Sequence, residues 1–209
     1  MSDNGNSKKA KESSGFEMIC GLTLAVLAAV LAITDIGGGR FGDDEIIAHN
    51  QKTNAFNWYQ AKAVKESLIE GQRDMLRVMM DSGAVPSKTQ DQMTQLMSAL
   101  ETEIARYRKE KAEILLGSSK VGEAGWAIEQ EGKLGQIKGA LEWEREAEKL
   151  GAAGDTFDLS VLFLQICLVM GAISLILQGE RMRNFFYVTM VGLGGLGSYF
   201  SAVAFLQVA

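Results

Sequence analysis

The chain has 209 residues, a formal net charge of -5, and a mean hydropathy of only +0.03. The acidic balance provides no basic footprint, so nucleic acid is excluded as a partner. Two cysteines, Cys20 and Cys167, exclude a disulfide framework, and the single histidine, His49, leaves no clustered ligands for a His/Cys metal site.

The neutral mean hydropathy averages two extremes. Three apolar runs, at residues 16–36, 157–177 and 185–208, alternate with polar sequence. Each has at least about 20 residues, which as a helix spans ~30 Å of hydrocarbon. The expected class is an all-α integral membrane protein with three transmembrane helices. A helical insert outside the membrane, residues 37–156, separates spans one and two.

Residues 1–15 are polar and are expected to form a disordered cytoplasmic tail. Lys8, Lys9 and Lys11, with Ala28, Ala29 and Ala32 further on, would also suit a cleaved signal. The apolar stretch is long for that role, which favours a retained span. Within this first run Gly21, Ala25 and Ala29 form a small-residue row suited to helix packing in lipid. The Gly37-Gly38-Gly39 run is expected to close the helix.

In the insert, the next helix is expected from about Asp44 to Asp81. Ala61, Val64, Leu68, Met75 and Val78 mark its apolar stripe. Ser82, Gly83 and the lone Pro86 break the chain, and Ser87 is a candidate cap. A second helix follows to Leu116, with Met93, Met97, Leu100, Ile104, Tyr107 and Ile114 in a seven-residue pattern interrupted by Lys111. Two such helices predict an antiparallel hairpin with a coiled-coil-like seam.

A third helical segment is expected from about Ser119 to Leu150. Gly125, Gly132 and Gly139 recur at seven-residue intervals, which would open a partner surface on one stripe. Phe56, Trp58 and Tyr59 mark a second candidate surface, as an aromatic cluster at the bilayer side of the insert. Glu142, Glu144, Glu146 and Glu148 spread around a helix and read as a solvated acidic face.

In the second span Gln165 is the main deep polar group, read as an interhelical hydrogen-bonding side chain. Residues 178–184 form a short basic loop carrying Arg181 and Arg183. With the N-terminal lysines it sets the orientation: loop and N-terminus cytoplasmic, insert and C-terminal Ala209 periplasmic. Arg40, Lys52, Arg145 and Lys149 near the opposite ends of the spans reduce this contrast.

The third span contains GLGGLG at 192–197, a formal match to the dinucleotide fingerprint. That fingerprint needs a strand, a turn and a helix N-terminus at the phosphate, and here it lies inside an apolar run. Gly194, Ser198 and Ala202 instead give a second packing row.

The stretch HNQKTNAFNWYQAKAVKE, from His49 to Glu66, and GDTFDLSVLFLQICLVM, from Gly154 to Met170, resemble a bacterial membrane-protein family. That family is catalogued as domain of unknown function 4337. The resemblance covers nearly the whole chain from the first span onward and supports the three-span topology. This chain departs from the pattern at 151–154, where Gly-Ala-Ala-Gly replaces a basic or His-rich stretch. The family carries no assigned activity to transfer.

No nucleophile and base occur in a recognisable arrangement, and buried ionisable residues are scarce in the spans. The expectation is a non-enzymatic inner-membrane protein with no cofactor, no catalytic residues and no metal. Its partners would be the lipid bilayer and other membrane-protein subunits or further copies of itself. An oligomeric channel or transport component, or a membrane sensor with a ligand-binding insert, is the alternative.

Overall fold

The structure, a computed structural model, describes residues 3–83, 86 and 88–208, with side chains from residue 15 onward. Ser87, Ala209 and the side chains of Lys8, Lys9 and Lys11 lie outside the described residues. Five helices and one small hairpin appear in chain order: α1 (Asp3–Asp81), α2 (Gln90–Leu116), α3 (Ser118–Val121), β1 (Glu129–Gln130), β2 (Lys133–Leu134), α4 (Ala140–Ile176) and α5 (Glu180–Val208). A 3-10 turn, Glu123–Gly125, sits between α3 and β1. Three helices, α1, α4 and α5, are long and apolar enough to cross a membrane.

Two expectations about α1 are corrected. Residues 3–15 are helical rather than disordered, and the helix does not stop at Gly37-Gly38-Gly39. Gly37 and Gly38 serve packing instead of termination, whereas a Cβ on Gly39 would meet nothing within 4 Å. A Cβ on Gly37 would stand 2.6 Å from the Phe205 ring, and one on Gly38 3.3 Å from Phe157 Cβ. A side chain at either position would push these aromatics away, and the helix accepts the ~1 kcal/mol propensity loss per glycine.

The chain divides into two units, residues 1–45 with 148–209, and residues 46–147. In the first, Cys20, Leu27, Leu164, Cys167 and Met190 form a buried core, lined by Leu24, Leu31 and Tyr187. Phe41, Phe157 and Phe205 make a second cluster, with Phe157 and Phe205 edge to face at 4.9 Å. Polar groups are tied across the helices. Thr34 and Ser201 share a buried 2.8 Å hydrogen bond, and Ser160 Oγ donates to the Gly197 carbonyl at 2.7 Å. Such bonds satisfy hydroxyls that would otherwise lack a partner. Only Leu177–Gly179 separates α4 from α5, so Arg181 and Arg183 lie on α5 rather than in a loop. The Arg183 guanidinium stands 4.2 Å from the centre of the Phe16 ring.

In the second unit, the later part of α1 and α2 run antiparallel. Their contacts reverse in order: Lys62 pairs with Glu110, and Glu70 pairs with Arg108. A small core of Ile114, Ile128 and Ile137, with Tyr59 against it, lies beyond the C-terminal end of α2.

The third helical segment expected from about Ser119 is also corrected, because residues 122–139 are not α-helical. Glu131 and Gly132 have φ of 51° and 78° and form the two-residue loop between β1 and β2. Positive φ at both central residues is the requirement of a type I′ turn, which glycine meets without strain. Gly125 lies in the 3-10 turn, and Gly139 lies against the backbone of Leu116 and Gly117. Their seven-residue spacing marks turns and one close backbone approach, not a helical stripe.

Candidate interaction surface

The α1–α2 interface mixes ion pairs with apolar contacts, and the face of α1 it uses is not the expected apolar stripe. On α1 the side chains turned toward α2 include Lys62, Glu66 and Glu70. Lys62 Nζ is 2.5 Å from Glu110 Oε2, Arg108 Nε donates to Glu66 Oε1 at 3.0 Å, and Arg108 Nη2 donates to Glu70 Oε1 at 2.7 Å. Lys111, which interrupts the apolar repeat of α2, pairs with Glu66 Oε2. Burial alone would raise the Glu66 carboxyl. The hydrogen bonds and charges of Lys111 and Arg108 outweigh it and hold the group below the ordinary glutamate value.

This arrangement leaves the apolar stripe of α1 outside. Val64, Leu68, Met75 and Val78 are 68%, 63%, 66% and 66% exposed. On a helix with 3.6 residues per turn, Leu68 lies about 200° around from Glu66, so one face binds α2 and the other stays uncovered. The stripe of α2 follows expectation better, with Ile104 and Ile114 buried and Met93, Met97, Leu100 and Tyr107 half-buried. Toward the tip of the hairpin, Met75, Leu76, Met79, Leu96 and Leu100 line an open, largely apolar groove of 280 Å³.

At the other end, the chain after α2 is held by one buried carboxylate. Glu113 has no exposed surface. It accepts from Ser118 Oγ at 2.7 Å, from the Ala127 amide at 2.8 Å and from the Ile128 amide at 2.9 Å. Ser118 Oγ in turn accepts from the Ile137 amide at 2.8 Å, and Trp126 Nε1 donates to the Ser118 carbonyl at 3.0 Å. Nothing in the local pattern of α2 distinguishes Glu113 from its solvated neighbours, and sequence reasoning missed it.

Of the four glutamates expected to form a solvated face, Glu148 is exposed and the other three have specific partners. Glu142 accepts from Ser119 Oγ and the Gly139 amide, Glu144 pairs with Lys52 at 3.1 Å, and Glu146 pairs with Lys138. Burial raises the Glu142 carboxyl, but the two hydrogen bonds and the charges of Arg145 and Lys138 bring it below the ordinary value. Lys138 is drawn below the usual lysine value by burial, which the Glu142 charge only partly offsets.

The anticipated packing rows sit as follows. Gly21 has no atom within 4 Å of where a Cβ would stand, and Ala25 and Ala29 are exposed. That row lies off the packed face of α1, which carries Cys20, Leu24 and Leu27. On α5 the buried row is Met190, Gly194, Gly197, Ser201 and Ala204. Gly194 belongs to it and lies against Leu27, whereas Ser198 is half-buried, bonding back to the Gly194 carbonyl, and Ala202 is exposed. The true row alternates steps of three and four, so a strict four-residue step leaves the interface after one residue.

Gln165 is exposed on α4 and bonds to no described residue. The interhelical hydrogen bond expected of it does not form among the described residues. Phe56 is half-buried, Trp58 is 39% exposed, and Tyr59 joins the isoleucine core. No group of three or more metal-ligating side chains gathers among the described residues.

Helices of this length and apolarity, carrying a polar helical unit between the first and second, define an all-α protein compatible with membrane insertion. The family model described as "Domain of unknown function (DUF4337)" matches residues 16–207, and the chain belongs to that family. No curated protein and no solved structure matches the chain.

Proposed function

We propose that this chain is a non-enzymatic membrane protein whose role is assembly, as a homo-oligomer or as an accessory subunit of a larger membrane complex. The observation that carries this reading is the outward stripe of Val64, Leu68, Met75 and Val78. Its spacing is that of a helix–helix seam, and among the described residues it stays largely exposed. Its natural complement is a similar helix from another polypeptide.

Support comes also from α4. A carboxamide on an apolar helix is costly unless it finds a hydrogen-bonding partner, and Gln165 finds none among the described residues. A second copy or another subunit would supply one. The Gly21, Ala25 and Ala29 row, open on α1, offers a face for close approach. The buried and half-buried acids Glu66, Glu110, Glu113 and Glu142 are engaged in ion pairs or hydrogen bonds that hold the fold.

The exposed Gln165 favours one further reading, an oligomeric channel in which it lines a shared axis. Conductance in liposomes that Gln165→Leu abolishes would select the channel. Absence of conductance, with association intact, selects the accessory subunit. The inner membrane, with the insert on the periplasmic side, is the expected setting. Cysteine labelling of engineered sites in residues 46–147 from outside intact spheroplasts tests it.

A further inference from the structure

A cleft of 370 Å³ opens beside the Glu113-anchored loop, within the range of roughly 300–1,000 Å³ typical of small-molecule sites. One wall is α1, where Gln51, Asn54 and Trp58 fall on one face at i, i+3 and i+7 over the buried Ala55. The facing wall carries Gln130 from β1, Gln136 from the segment before α4, and Trp143 from the first turn of α4. Sequence reasoning singled out Trp58 as an aromatic surface; the structure places it beside a second indole and four carboxamides.

None of these carboxamides makes a hydrogen bond to a described residue. Each carries two N–H donors and a carbonyl acceptor, all unused by the protein. Their supports are fixed. Ile137, between Gln136 and Lys138, bonds through both its amide and its carbonyl to Ser118, and the β1–β2 turn carries Gln130.

The charge of the cleft is internally balanced. Lys138 is its one charged lining residue, and it is paired with Glu146 and packed 3.7 Å from the centre of the Trp143 ring. With the built-in ammonium on the aromatic face, a cationic guest finds that position on Trp143 already taken. With that ammonium already neutralised, an anionic guest gains little. Four amides make the site too polar for an acyl chain.

We propose that this cleft binds a neutral sugar ring. Indoles cover the apolar C–H face of a pyranose, and carboxamides match hydroxyls, which donate and accept at the same atom. This site is independent of the assembly reading.

The test is calorimetric titration of the full chain in lipid nanodiscs, free of glycoside detergent, with maltotriose, chitotriose and trialanine. Saturable binding of at least one of the two sugars is expected. Trp58→Ala or Trp143→Ala should weaken it about tenfold or more, and Asn54→Ala or Gln130→Ala about threefold. The two amide positions are exposed and unbonded, so these variants keep the fold even where a tryptophan variant does not. Glu101→Gln, on exposed α2 surface, should change nothing. No saturable binding of either sugar up to ~10 mM overturns the proposal. So does sugar binding indifferent to all four substitutions, or binding of trialanine in place of the sugars.

Discussion

Glu66 and Arg108 meet across the α1–α2 interface, with Arg108 Nε donating to Glu66 Oε1 at 3.0 Å, while Leu68 two residues on is 63% exposed. The pairing departs from the usual division of an amphipathic helix, in which the apolar face packs and the charged face meets water, because charged side chains share the packed face while an apolar stripe stays exposed. Ion pairs join the buried Ile104 and its apolar neighbours in the hairpin, and the stripe of Val64, Leu68, Met75 and Val78 is left for something else.

The ion pairs make the hairpin sensitive to acid. The Glu66 carboxyl is held below its ordinary value, so its contribution is fully present above the unfolded-state pKa. It is lost as pH falls through the lower folded-state pKa. Urea unfolding followed across the acidic range should show stability declining there for the native chain. Glu66→Gln should be less stable near neutrality and flatter with pH. Parallel pH profiles for the two would contradict the assignment.

Glu113 is predicted to be the anchor of the segment after α2. Glu113→Ala strands two backbone amides and a serine hydroxyl, at ~1–3 kcal/mol for each buried group left unsatisfied. Amide hydrogen exchange at Ala127, Ile128 and Ile137 should accelerate by orders of magnitude, with the middle of α1 unaffected. Unchanged protection at those three amides would remove Glu113 from this role.

Two glycines should respond in opposite senses to alanine. Gly71 lies inside α1 with nothing within 4 Å of a Cβ, so Gly71→Ala should stabilise by up to ~1 kcal/mol through helix propensity. At Gly139 the same Cβ would collide with the Gly117 backbone, and Gly139→Ala should destabilise by ~1–3 kcal/mol. Thermal unfolding of the two variants reads both signs.

Much of this architecture was legible in the residues. The three apolar helices follow from run length, and the break before α2 from Ser82, Gly83 and Pro86. The face of α1 was not, because periodicity shows that an apolar stripe exists without showing what covers it. Choosing its inward face required knowing that Lys62, Glu66 and Glu70 meet opposite charges from α2. Glycine was ambiguous for a related reason. Gly37 serves packing and Gly132 serves a turn, and only tertiary contact separates the two uses. The cleft was half visible: Trp58 stood out, but Gln130, Gln136 and Trp143 reach it only through the β1–β2 turn.

The central claim is association through the uncovered face of α1, and the oligomeric state tests it most directly. Native mass spectrometry of the chain extracted gently from its own membrane should show a homo-oligomer or a complex with other membrane subunits. Leu68→Glu with Val78→Glu should release it as a monomer. At exposed positions such changes typically alter stability by no more than ~0.5 kcal/mol, so helix content should persist. A chain that is monomeric from the start with nothing accompanying it, or an assembly indifferent to both glutamates, would contradict the account.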